Sequence, residues 1–520
     1  MPEWVVQWFS YFVVVYSTLV ISSYIAFAVL AFLEHRKHYT YHDDAYTIGE
    51  LKKSPYTPGV SIVAPAYNEE KTVITNVKSL LSLDYPDFEV VIVNDGSKDK
   101  TLELLIENFD LVKVPYAYVE KIKTKPFKGL YKTKSDNPAF KRLTVVDKVN
   151  GGTKADASNA GVNVVSNKFF VCTDVDCVLE KNALYRMIWP TMASTRRVIA
   201  VSATMRMSNG SIVEDGKMVE THPPHDMIPL FQDLEYTRSF LIGKTALSRI
   251  NAMQNVSGGF GMFDREVVIK AGGYDGDSFA EDMDMVARMI RYCCDAGEEY
   301  RVVQIPETCC WTEGPPNFKV LNRQRTRWGR GLFQFFTVHR DMLFNRNYRQ
   351  YGMLTLPYIL IFELTAPVIE FMGYIMVLSL LVQWAINWNT IWIAFVGLYI
   401  FAQLLTVIII SYDLWVGTSF KDRKDYLWFV LASLLEPFFY HPINVYFSLR
   451  GYVKQILGTQ MVWGNMTRKG VQSAAKPANA DKKQSPPGEA GATAAADAAT
   501  SVAAIKSAVE EEKKEEKADA

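Results

Sequence analysis

Four runs of apolar residues divide the chain into membrane-like segments and one long segment of mixed pattern. The first run lies at residues 9–33, and three more lie at about 354–383, 391–411 and 427–447. A helix needs about 20 apolar residues to cross a bilayer. The pattern therefore predicts an N-terminal transmembrane helix and a C-terminal group of transmembrane helices, with a large domain between them.

The charges beside the first run predict its orientation. The run is followed directly by Glu34-His35-Arg36-Lys37, and Lys and Arg mark the cytoplasmic flank of a transmembrane helix. A cleaved signal peptide is the alternative, but no Lys or Arg precedes the run and no small-residue cleavage pattern follows it. We therefore expect the N-terminus outside and the large domain in the cytoplasm.

The topology of the C-terminal runs is left open by the charges. Four spans would place the C-terminus outside, whereas four basic residues beyond the last run favour the inside. These residues are Arg450, Lys454, Arg468 and Lys469. One of the proline-containing runs is then re-entrant or interfacial rather than spanning.

Short strand-like segments alternate with amphipathic ones in the large domain. Residues 60–64, 88–93, 143–146 and 168–173 are apolar strands, and a helix is predicted from about Lys154. This alternation predicts an α/β, Rossmann-like fold with a mostly parallel sheet and ligands at the carboxyl ends of its strands. A lysine- and aromatic-rich interruption at 113–142 is either a lipid-contacting insertion or a solvated loop. Residues 206–250 carry no assignable motif.

Beyond residue 315, apolar residues recur at nearly helical spacing between arginines, which is typical of a helix lying in the membrane interface. The tail contains almost no large apolar residue, so its composition predicts disorder. The predicted segments are 1–35 (N-terminal transmembrane helix), 36–58 (linker), 59–315 (α/β domain), 316–350 (amphipathic interfacial helix), 351–450 (transmembrane helices), 451–472 (juxtamembrane segment) and 473–520 (disordered tail).

Composition narrows the functional classes. Lys plus Arg and Asp plus Glu number 56 each, so no global charge indicates a nucleic-acid partner. The six cysteines all lie in the large domain and show no metal-ligand spacing with histidine. We therefore expect reduced cytosolic thiols.

Two acidic sites close predicted strands. The first is Asp174-Val175-Asp176, and two carboxylates one residue apart can hold Mg²⁺ or Mn²⁺ through oxygen ligands. An isolated Asp-x-Asp is nevertheless common in loops. The second is Asp95, which precedes Gly96 and can accept hydrogen bonds from a base or a ribose. Asn-Asp-Gly is also ordinary turn chemistry.

Two further candidates lie where helices are predicted to start. Lys154 follows a Gly-Gly-Thr turn, where it can reach a phosphate or simply be a solvated residue. Glu281 and Asp282 fit a general base whose pKa is raised by its neighbour. They fit equally well as ordinary acids at a helix N-terminus, which the helix dipole favours.

The predicted interfacial helix contains Gln324-Arg325-Thr326-Arg327-Trp328. The planar forks of arginine bind phosphate oxygens bidentately, and an indole face stacks on the apolar face of a sugar ring. The alternative is a basic interfacial helix with one aromatic anchor. The aspartate sites upstream favour a sugar-transfer site over the anchor.

Six motifs occur in an order that resembles the processive family 2 glycosyltransferases, a family that includes the cellulose, hyaluronan, chitin-oligosaccharide and poly-N-acetylglucosamine synthases. The resemblance covers about residues 59–330 and the helices that follow. The motifs are Pro65-x-Tyr67-Asn68-Glu69, Asp95-Gly96-Ser97, Lys154-Ala155-Asp156-Ala157-x-Asn159-x-Gly161, Asp174-x-Asp176, Glu281-Asp282 and Gln324-Arg325-x-Arg327-Trp328.

The resemblance implies a GT-A fold, a UDP-sugar donor, Mg²⁺ or Mn²⁺ as cofactor, and inversion at the anomeric carbon. It also implies roles for single residues. Ala64, Tyr67, Glu69, Asp95, Lys154 and Asp174 would bind the nucleotide sugar, Asp174 and Asp176 the metal (Asp176 directly), Arg325 and Arg327 the diphosphate, Gln324 and Trp328 the acceptor, and Asp282, beside Glu281, would be the catalytic base.

The function expected from this resemblance is polymerisation of UDP-N-acetylglucosamine or UDP-glucose into a β-linked polysaccharide that crosses the cell (inner) membrane through the protein's own helices. The expected partners are the UDP-sugar donor, a growing polysaccharide or lipid acceptor, and the lipid bilayer, with no nucleic acid. Two alternatives remain. The protein could add one sugar to a lipid or oligosaccharide, or it could be a non-catalytic polysaccharide channel or receptor.

Overall fold

The structure is a computed structural model that describes residues 3–41, 43–116, 118–214, 216–417, 420 and 422–459. The tail predicted to be disordered, and the juxtamembrane segment from residue 460 onward, lie outside the described residues.

The α-helices are α1 (Glu3–Tyr41), α2 (Asp44–Lys53), α3 (Val73–Leu81), α4 (Thr101–Asn108), α5 (Pro138–Lys141), α6 (Lys154–Val164), α7 (Ala183–Ala193), α8 (Met227–Arg238), α9 (Thr245–Arg249), α10 (Arg265–Lys270), α11 (Glu281–Asp295), α12 (Phe318–Val338), α13 (Leu356–Ile359), α14 (Ala366–Val382), α15 (Trp388–Val416), α16 (Tyr426–Leu435) and α17 (Tyr440–Ile456).

The strands are β1 (Val60–Ala66), β2 (Phe88–Asn94), β3 (Leu111–Val114), β4 (Phe127–Thr133), β5 (Leu143–Lys148), β6 (Phe169–Thr173), β7 (Val178–Leu179), β8 (Arg197–Met207), β9 (Ile212–Glu214), β10 (Lys217–Glu220), β11 (Phe260–Asp264) and β12 (Tyr300–Thr312). Part of the basic 113–142 segment thus forms β4 and the end of β3 at the edge of the main sheet. Segments of π-helix extend α8 at Ser239–Lys244 and flank α13 at Tyr351–Thr355 and Leu360–Leu364.

Most strands form one sheet, in the order β3-β4-β5-β2-β1-β6-β11-β8-β12-β7. Its centre is parallel, as predicted, because β5, β2, β1 and β6 run in one direction. The sheet as a whole is mixed, since β11 runs antiparallel between β6 and β8, and β3, β4 and β7 also pair antiparallel. An apolar run looks the same in a parallel and an antiparallel strand, so the sequence pattern could not predict the antiparallel strands.

Hydrophobic helices cover both faces of the sheet. Side chains alternate between the faces of a strand, so Ile62 of β1 points to one face and Val63 to the other. Ile62 packs in a core with residues of α3, α4 and α7, and Val63 packs in a second core with residues of α6, α10 and α11. The carboxyl ends of the central strands are left uncovered by these helices, which is where the polar motifs lie.

The segment 36–58, predicted to be a linker, is largely helical. Helix α1 continues to Tyr41, and Asp43 caps α2 by accepting a hydrogen bond from the Tyr46 amide at 3.0 Å. The side chain of Asp44 then pairs with Arg186 of α7 at 2.9 Å. Capping and this ion pair hold a segment whose composition alone suggested irregular chain.

Three described helical segments are long and apolar enough to cross a membrane: Trp4–Thr40, Tyr351–Val382 and Trp388–Val416. The fourth predicted run, at 427–447, is instead split into α16 and α17, with turns between Leu435 and Tyr440. Pro437 lies in this break, and proline removes a helical hydrogen bond and clashes with the preceding turn. The described residues therefore contain three candidate spans, where the sequence pattern predicted four apolar runs.

Helices α12 and α17 cross at a point where glycine leaves no room for a side chain. A Cβ atom on Gly451 would lie 2.6 Å from the carbonyl oxygen of Thr326, and one on Gly329 would lie 2.7 Å from that of Ser448. Backbone atoms cannot rotate out of the way, so the helices would have to separate. This contact fixes α12, the helix that carries the arginine and tryptophan motif, against α17.

We expect Gly451→Ala to destabilise the protein by about 1–3 kcal/mol, the usual cost of overpacking. Thermal unfolding of the detergent-solubilised protein measures the change. The matched control is Gly397→Ala in α15, where a Cβ meets nothing within 4 Å. Equal unfolding temperatures for the two variants would contradict the close-crossing account.

Candidate active site

The carboxyl ends of the parallel strands bring the acidic motifs to one edge of the sheet. Ala66 at the end of β1 pairs in register with Asn94 at the end of β2, which in turn pairs with Asp147 of β5. The next residue along β2 is Asp95, and Asp174 follows the end of β6, the neighbour of β1 on its other side. These ends form a cleft edge lined by carboxylates.

Asp95 is buried and its orientation is fixed by two donors. Its Oδ1 accepts a hydrogen bond from Lys148 Nζ at 2.7 Å and another from the Gly151 amide at 2.9 Å. The Lys148 ammonium, fully buried, also pairs with Asp156 of α6. Sequence reasoning did not identify Lys148, which holds Asp95 at the cleft and ties it to the helix that carries Lys154.

The loop after β1 is joined to the loop after β2. The backbone amide of Asn68 donates to Ser97 Oγ at 3.0 Å, and the Glu69 amide donates to Thr101 Oγ1 at 2.9 Å. Directly before these anchors, the side chain of Tyr67 stays 39% exposed. An exposed aromatic ring at this edge is available to stack on a flat ligand.

Ala64, which the resemblance implied to bind the nucleotide sugar, lies inside β1 rather than at its carboxyl end. Its side chain is fully buried in the core formed with Ile62 and Ile92, two residues before the end of β1. A methyl group inside the sheet-helix core cannot contact a nucleotide at the cleft. The motif at this strand end therefore begins after Ala64.

Lys154, Asp174 and Asp282 are brought together by the turn at Gly258 and Gly259. Lys154 Nζ pairs with the Asp174 carboxylate and donates to the carbonyl oxygen of Gly258 at 2.6 Å. Burial would lower the pKa of Lys154, but the adjacent Asp174 carboxylate outweighs it and raises that pKa. The lysine is therefore charged at neutral pH and held beside the Asp174 carboxylate.

The same turn holds the third acidic site. The Gly258 amide donates to Asp282 Oδ2 at 3.0 Å, while the carbonyl of Gly259 accepts from the Asp174 amide at 3.3 Å. A Cβ on Gly259 would come within 2.9 Å of Met205. The turn Ser257-Gly258-Gly259 was missed by sequence reasoning, although two adjacent glycines before a strand are a signal of close backbone approach.

Asp174, Asp176 and Cys177 offer ligand atoms that lie within 4.8 Å of one another. Two carboxylates are hard oxygen donors of the kind that Mg²⁺ and Mn²⁺ prefer. The thiol of Cys177 would suit a softer metal, but its Sγ lies 3.7 Å from the carbonyl oxygen of Gly259, to which it donates. The donor set therefore fits a divalent cation held by the two aspartates. All six cysteines, each of them described, are free thiols, as expected.

Glu281 is close to the base candidate Asp282 and to Arg327 of α12. Arg327 Nη1 lies 3.4 Å from Glu281 Oε2 and donates to the carbonyl oxygen of Phe279 at 3.3 Å. Burial raises the pKa of Glu281, Arg327 opposes the shift and Asp282 adds to it. These contacts bring the α12 motif to the border of the cleft.

Two other residues of the α12 motif have different surroundings: among the described residues Gln324 has an unpaired oxygen, and Arg325 is paired with a residue of α8. Gln324 Oε1 is buried without a hydrogen-bond partner among the described residues, so it can accept a hydrogen bond from a ligand hydroxyl. Arg325, implied by the resemblance to hold the diphosphate, is buried and pairs with the partly exposed Glu235, at 2.7 and 2.5 Å. Arg327 also pairs with a carboxylate, but its partner Glu281 is the neighbour of Asp282, whereas the partner of Arg325 is Glu235 of α8.

Lys244 is a second residue that sequence reasoning missed, in the unassigned segment 206–250. It ends the π-helical turn after α8, is 6% exposed, and its ammonium lies 4.5 Å from the ring centroid of Phe240. Burial lowers the pKa of Lys244 to about 8, although Asp282 and Glu363 oppose the shift. A lysine this far inside gave no periodic signal, because it lies in a helix with apolar residues all round.

We expect Lys244→Met to stabilise the protein at pH 7, because burying the ammonium costs on the order of 3 kcal/mol for a pKa moved from 10.5 to about 8. Between about pH 8 and pH 10.5 the unfolded chain binds more protons than the folded one, so the free energy of unfolding of the wild type increases as pH rises. The destabilisation caused by the buried ammonium is fully present below about pH 8. The gain from the substitution should therefore shrink between pH 7 and pH 10, as measured by thermal unfolding. The exposed Lys270→Met is the control, and an equal gain at both pH values would refute the buried-charge account.

Comparison with known sequences identifies the family of this domain. The family described as "Glycosyltransferase like family 2" matches residues 58–331, a little over half of the chain. A poly-beta-1,6-N-acetyl-D-glucosamine synthase of Staphylococcus epidermidis is 28% identical over 273 residues, which are 52% of this chain and 54% of that protein. The protein of the same name from Staphylococcus aureus (strain COL) is 26% identical over 305 residues, 59% of this chain and 60% of that protein. The chain thus spans little more than half the length of these curated relatives.

Solved structures with a similar backbone fold are less similar in sequence than these relatives. The mannosyltransferase PcManGT from Pyrobaculum calidifontis, in complex with GDP-Man and Mn²⁺, is 17% identical with a TM-score of 0.48, covering 85% of this chain and 99% of that one. TarS 1–349 of S. aureus, in complex with UDP-GlcNAc, is 14% identical with a TM-score of 0.36, covering 76% and 92%. On the family match and the mixed sheet with helices on both faces, the chain belongs to glycosyltransferase family 2 and its catalytic domain has a GT-A-like fold.

Proposed function

We propose that the protein transfers a sugar from a UDP donor to a growing β-linked polysaccharide. The observation that carries this proposal is the Gly258–Gly259 turn, which joins Lys154, Asp174 and Asp282 at one cleft edge. Sugar transfer requires two charged groups. A cation held by a carboxylate stabilises the leaving diphosphate, and a separate carboxylate accepts the proton of the acceptor hydroxyl. A binding module would need neither group.

In the proposed reaction, the carboxylate of Asp282 accepts the proton of the acceptor hydroxyl. The hydroxyl oxygen attacks the anomeric carbon from the side opposite the leaving group, the bond from that carbon to the phosphate oxygen breaks, and UDP leaves with the electron pair. The configuration at the anomeric carbon is inverted. The hydrogen bond from the Gly258 amide at 3.0 Å supports this role, because it orients the Asp282 carboxylate without neutralising it.

A divalent cation bound by Asp176 and Asp174 would neutralise charge on the leaving diphosphate. Arg327, at the border of the cleft, is suited to bind the same diphosphate. Asp95 is proposed to bind the base or ribose, beside the exposed ring of Tyr67 and with Glu69 in the adjacent loop. Gln324 and Trp328 would form the acceptor side, the amide through hydrogen bonds and the indole by stacking.

The sugar proposed is N-acetylglucosamine, with glucose as the second candidate. The support is the printed name of relatives that are 26–28% identical across the catalytic region. The acceptor would be the polysaccharide itself. Addition of a single sugar to a lipid or oligosaccharide is distinguished by the length of the product.

We further propose that the protein is a multi-pass protein of the cell membrane, with the catalytic domain in the cytoplasm, and that its product leaves between the membrane helices. Three described helices of sufficient length and apolarity support the membrane location. The support for an exit on this side is the buried Lys244, because the charges of both Asp282 and Glu363 raise its pKa.

We expect Asp282→Asn to reduce sugar transfer by about 10²–10⁴-fold, the usual contribution of a general base. UDP release and product length are measured with each UDP-sugar and Mg²⁺ or Mn²⁺, and UDP affinity should stay unchanged. The control is Asp136→Asn, whose side chain is fully exposed before α5, at the opposite end of β5. A polymer yield equal to wild type for Asp282→Asn would rule out the proposed base.

We expect Asp176→Asn to weaken Mn²⁺ binding by at least about 10-fold, since even outer-shell partners contribute that much to a metal site. Electron paramagnetic resonance of free Mn²⁺ in the presence of UDP measures the affinity. Asp277→Asn, an exposed acid in the loop before α11, makes the same charge change without a role in the metal site. If both variants bind Mn²⁺ equally well, the two-aspartate site is wrong.

A further inference from the structure

Glu235 of helix α8, in the segment without a motif, contacts the arginine and tryptophan motif of α12. Glu235 accepts two hydrogen bonds from Arg325, Nη1 to Oε1 at 2.7 Å and Nη2 to Oε2 at 2.5 Å. Two parallel bonds of this kind fix the plane of the guanidinium as well as its position. Arg325 is therefore held in one orientation from outside its own helix.

A tyrosine closes the contact into a triangle. Arg325 Nη2 donates to Tyr440 Oη at 2.7 Å, and the Tyr440 hydroxyl donates to Glu235 Oε2 at 2.9 Å. The Tyr440 ring is in turn stacked on Phe231, at 5.1 Å between centroids. The triangle thus joins α8, α12 and the first turn of α17.

The guanidinium held in this triangle lies against Trp328. Its central carbon is 4.5 Å from the centroid of the indole ring, a cation–π distance. Arg325 and Trp328 are three residues apart, so they lie on the same face of α12. One face of the indole is therefore covered by Arg325, and the orientation of the ring depends on that of the guanidinium.

The charge state of the triangle is suited to this role. Burial would raise the pKa of Glu235, but Arg325 more than offsets this effect and holds the pKa below its usual range. Tyr440, which donates a hydrogen bond, and Arg238 also lower the pKa of Glu235, and Tyr236 and Tyr24 face it as well. Glu235 is therefore ionised at neutral pH, and its pair with Arg325 is intact.

We propose that Glu235 is a positioning residue of the acceptor site, which fixes Arg325 and thereby sets the indole of Trp328 at the angle that stacks on the acceptor sugar. This proposal rests on the proposed function. It gives Arg325 a task other than contact with the diphosphate, because both of its terminal nitrogens are engaged by Glu235 and Tyr440. It also gives a function to a segment that the sequence left unassigned.

The test is Glu235→Gln in the full-length protein, a change that keeps the shape and removes the charge. With an N-acetylglucosamine oligosaccharide as acceptor, KM for the acceptor should rise about 10-fold or more, since small displacements in a site have effects of this size. The dissociation constant of UDP should not change. A merely structural role would instead weaken UDP binding and acceptor binding together.

A matched control is available in the Asp44–Arg186 pair. The side chains of Arg325 and Glu235 are 7% and 33% exposed, and those of Arg186 and Asp44 are 11% and 33% exposed. Arg186 also binds its carboxylate with two nitrogens, Nε at 3.1 Å and Nη2 at 2.9 Å from Oδ2. Asp44→Asn should therefore cost similar stability but leave the acceptor KM unchanged.

The outcomes separate this proposal from the proposed function. If the wild type transfers sugar and Glu235→Gln has the wild-type acceptor KM, the positioning role is overturned while the enzymatic role stands. If the wild type transfers no sugar, equilibrium binding of the same oligosaccharide decides: weaker binding by Glu235→Gln supports the positioning role, and equal binding overturns it. A wild type that neither transfers nor binds the oligosaccharide overturns both.

Discussion

A buried ion network at Arg206 sets the position of the elements around the cleft. The guanidinium, 1% exposed at the side chain, donates to both oxygens of Asp233 at 3.0 Å and to both oxygens of Asp413 at 3.1 Å. The hydroxyl of Tyr426 donates to Asp413 at 2.7 Å. A buried charge is tolerated only when it is paired and hydrogen-bonded, and loss of one partner typically costs about 3–5 kcal/mol. The network therefore allows one arrangement of β8, α8, α15 and α16.

Helix α8, which is held by the Arg206 network, in turn positions the residues of the proposed acceptor side. Asp233 fixes the helix to the sheet, and two later residues on α8 form ion pairs with other elements. Glu235 binds Arg325, and Arg238 binds Glu436 at 2.7 Å in the break between α16 and α17. Three ion pairs within six residues make α8 the link between the sheet, the motif on α12 and the apolar C-terminal helices. The acceptor side is thus built partly by a helix from the segment in which the sequence showed no motif.

The donor side depends on backbone rather than side chains. At Gly258 and Gly259, amide and carbonyl groups connect Lys154, Asp174 and Asp282, whose motifs are far apart in sequence. A turn without side chains can approach the Lys154 ammonium, the Asp282 carboxylate and the backbone amide of Asp174 at once, without adding another charge. The reacting carboxylates are consequently held by a rigid frame, while the acceptor wall is held by ion pairs.

Local pattern and motif order determined much of this protein. The strand ends that bear Asp95 and Asp174, the helix start at Asp282 and the motif at Gln324 to Trp328 all follow from periodicity and short-range chemistry, so they were predictable from the sequence. The tertiary structure alone decided the antiparallel direction of β11 and the partner of Arg325. Glu235 lies 90 residues from Arg325, and Asp413 lies 207 residues from Arg206. Pairing across such separations depends on where the chain returns in space, which no local pattern records.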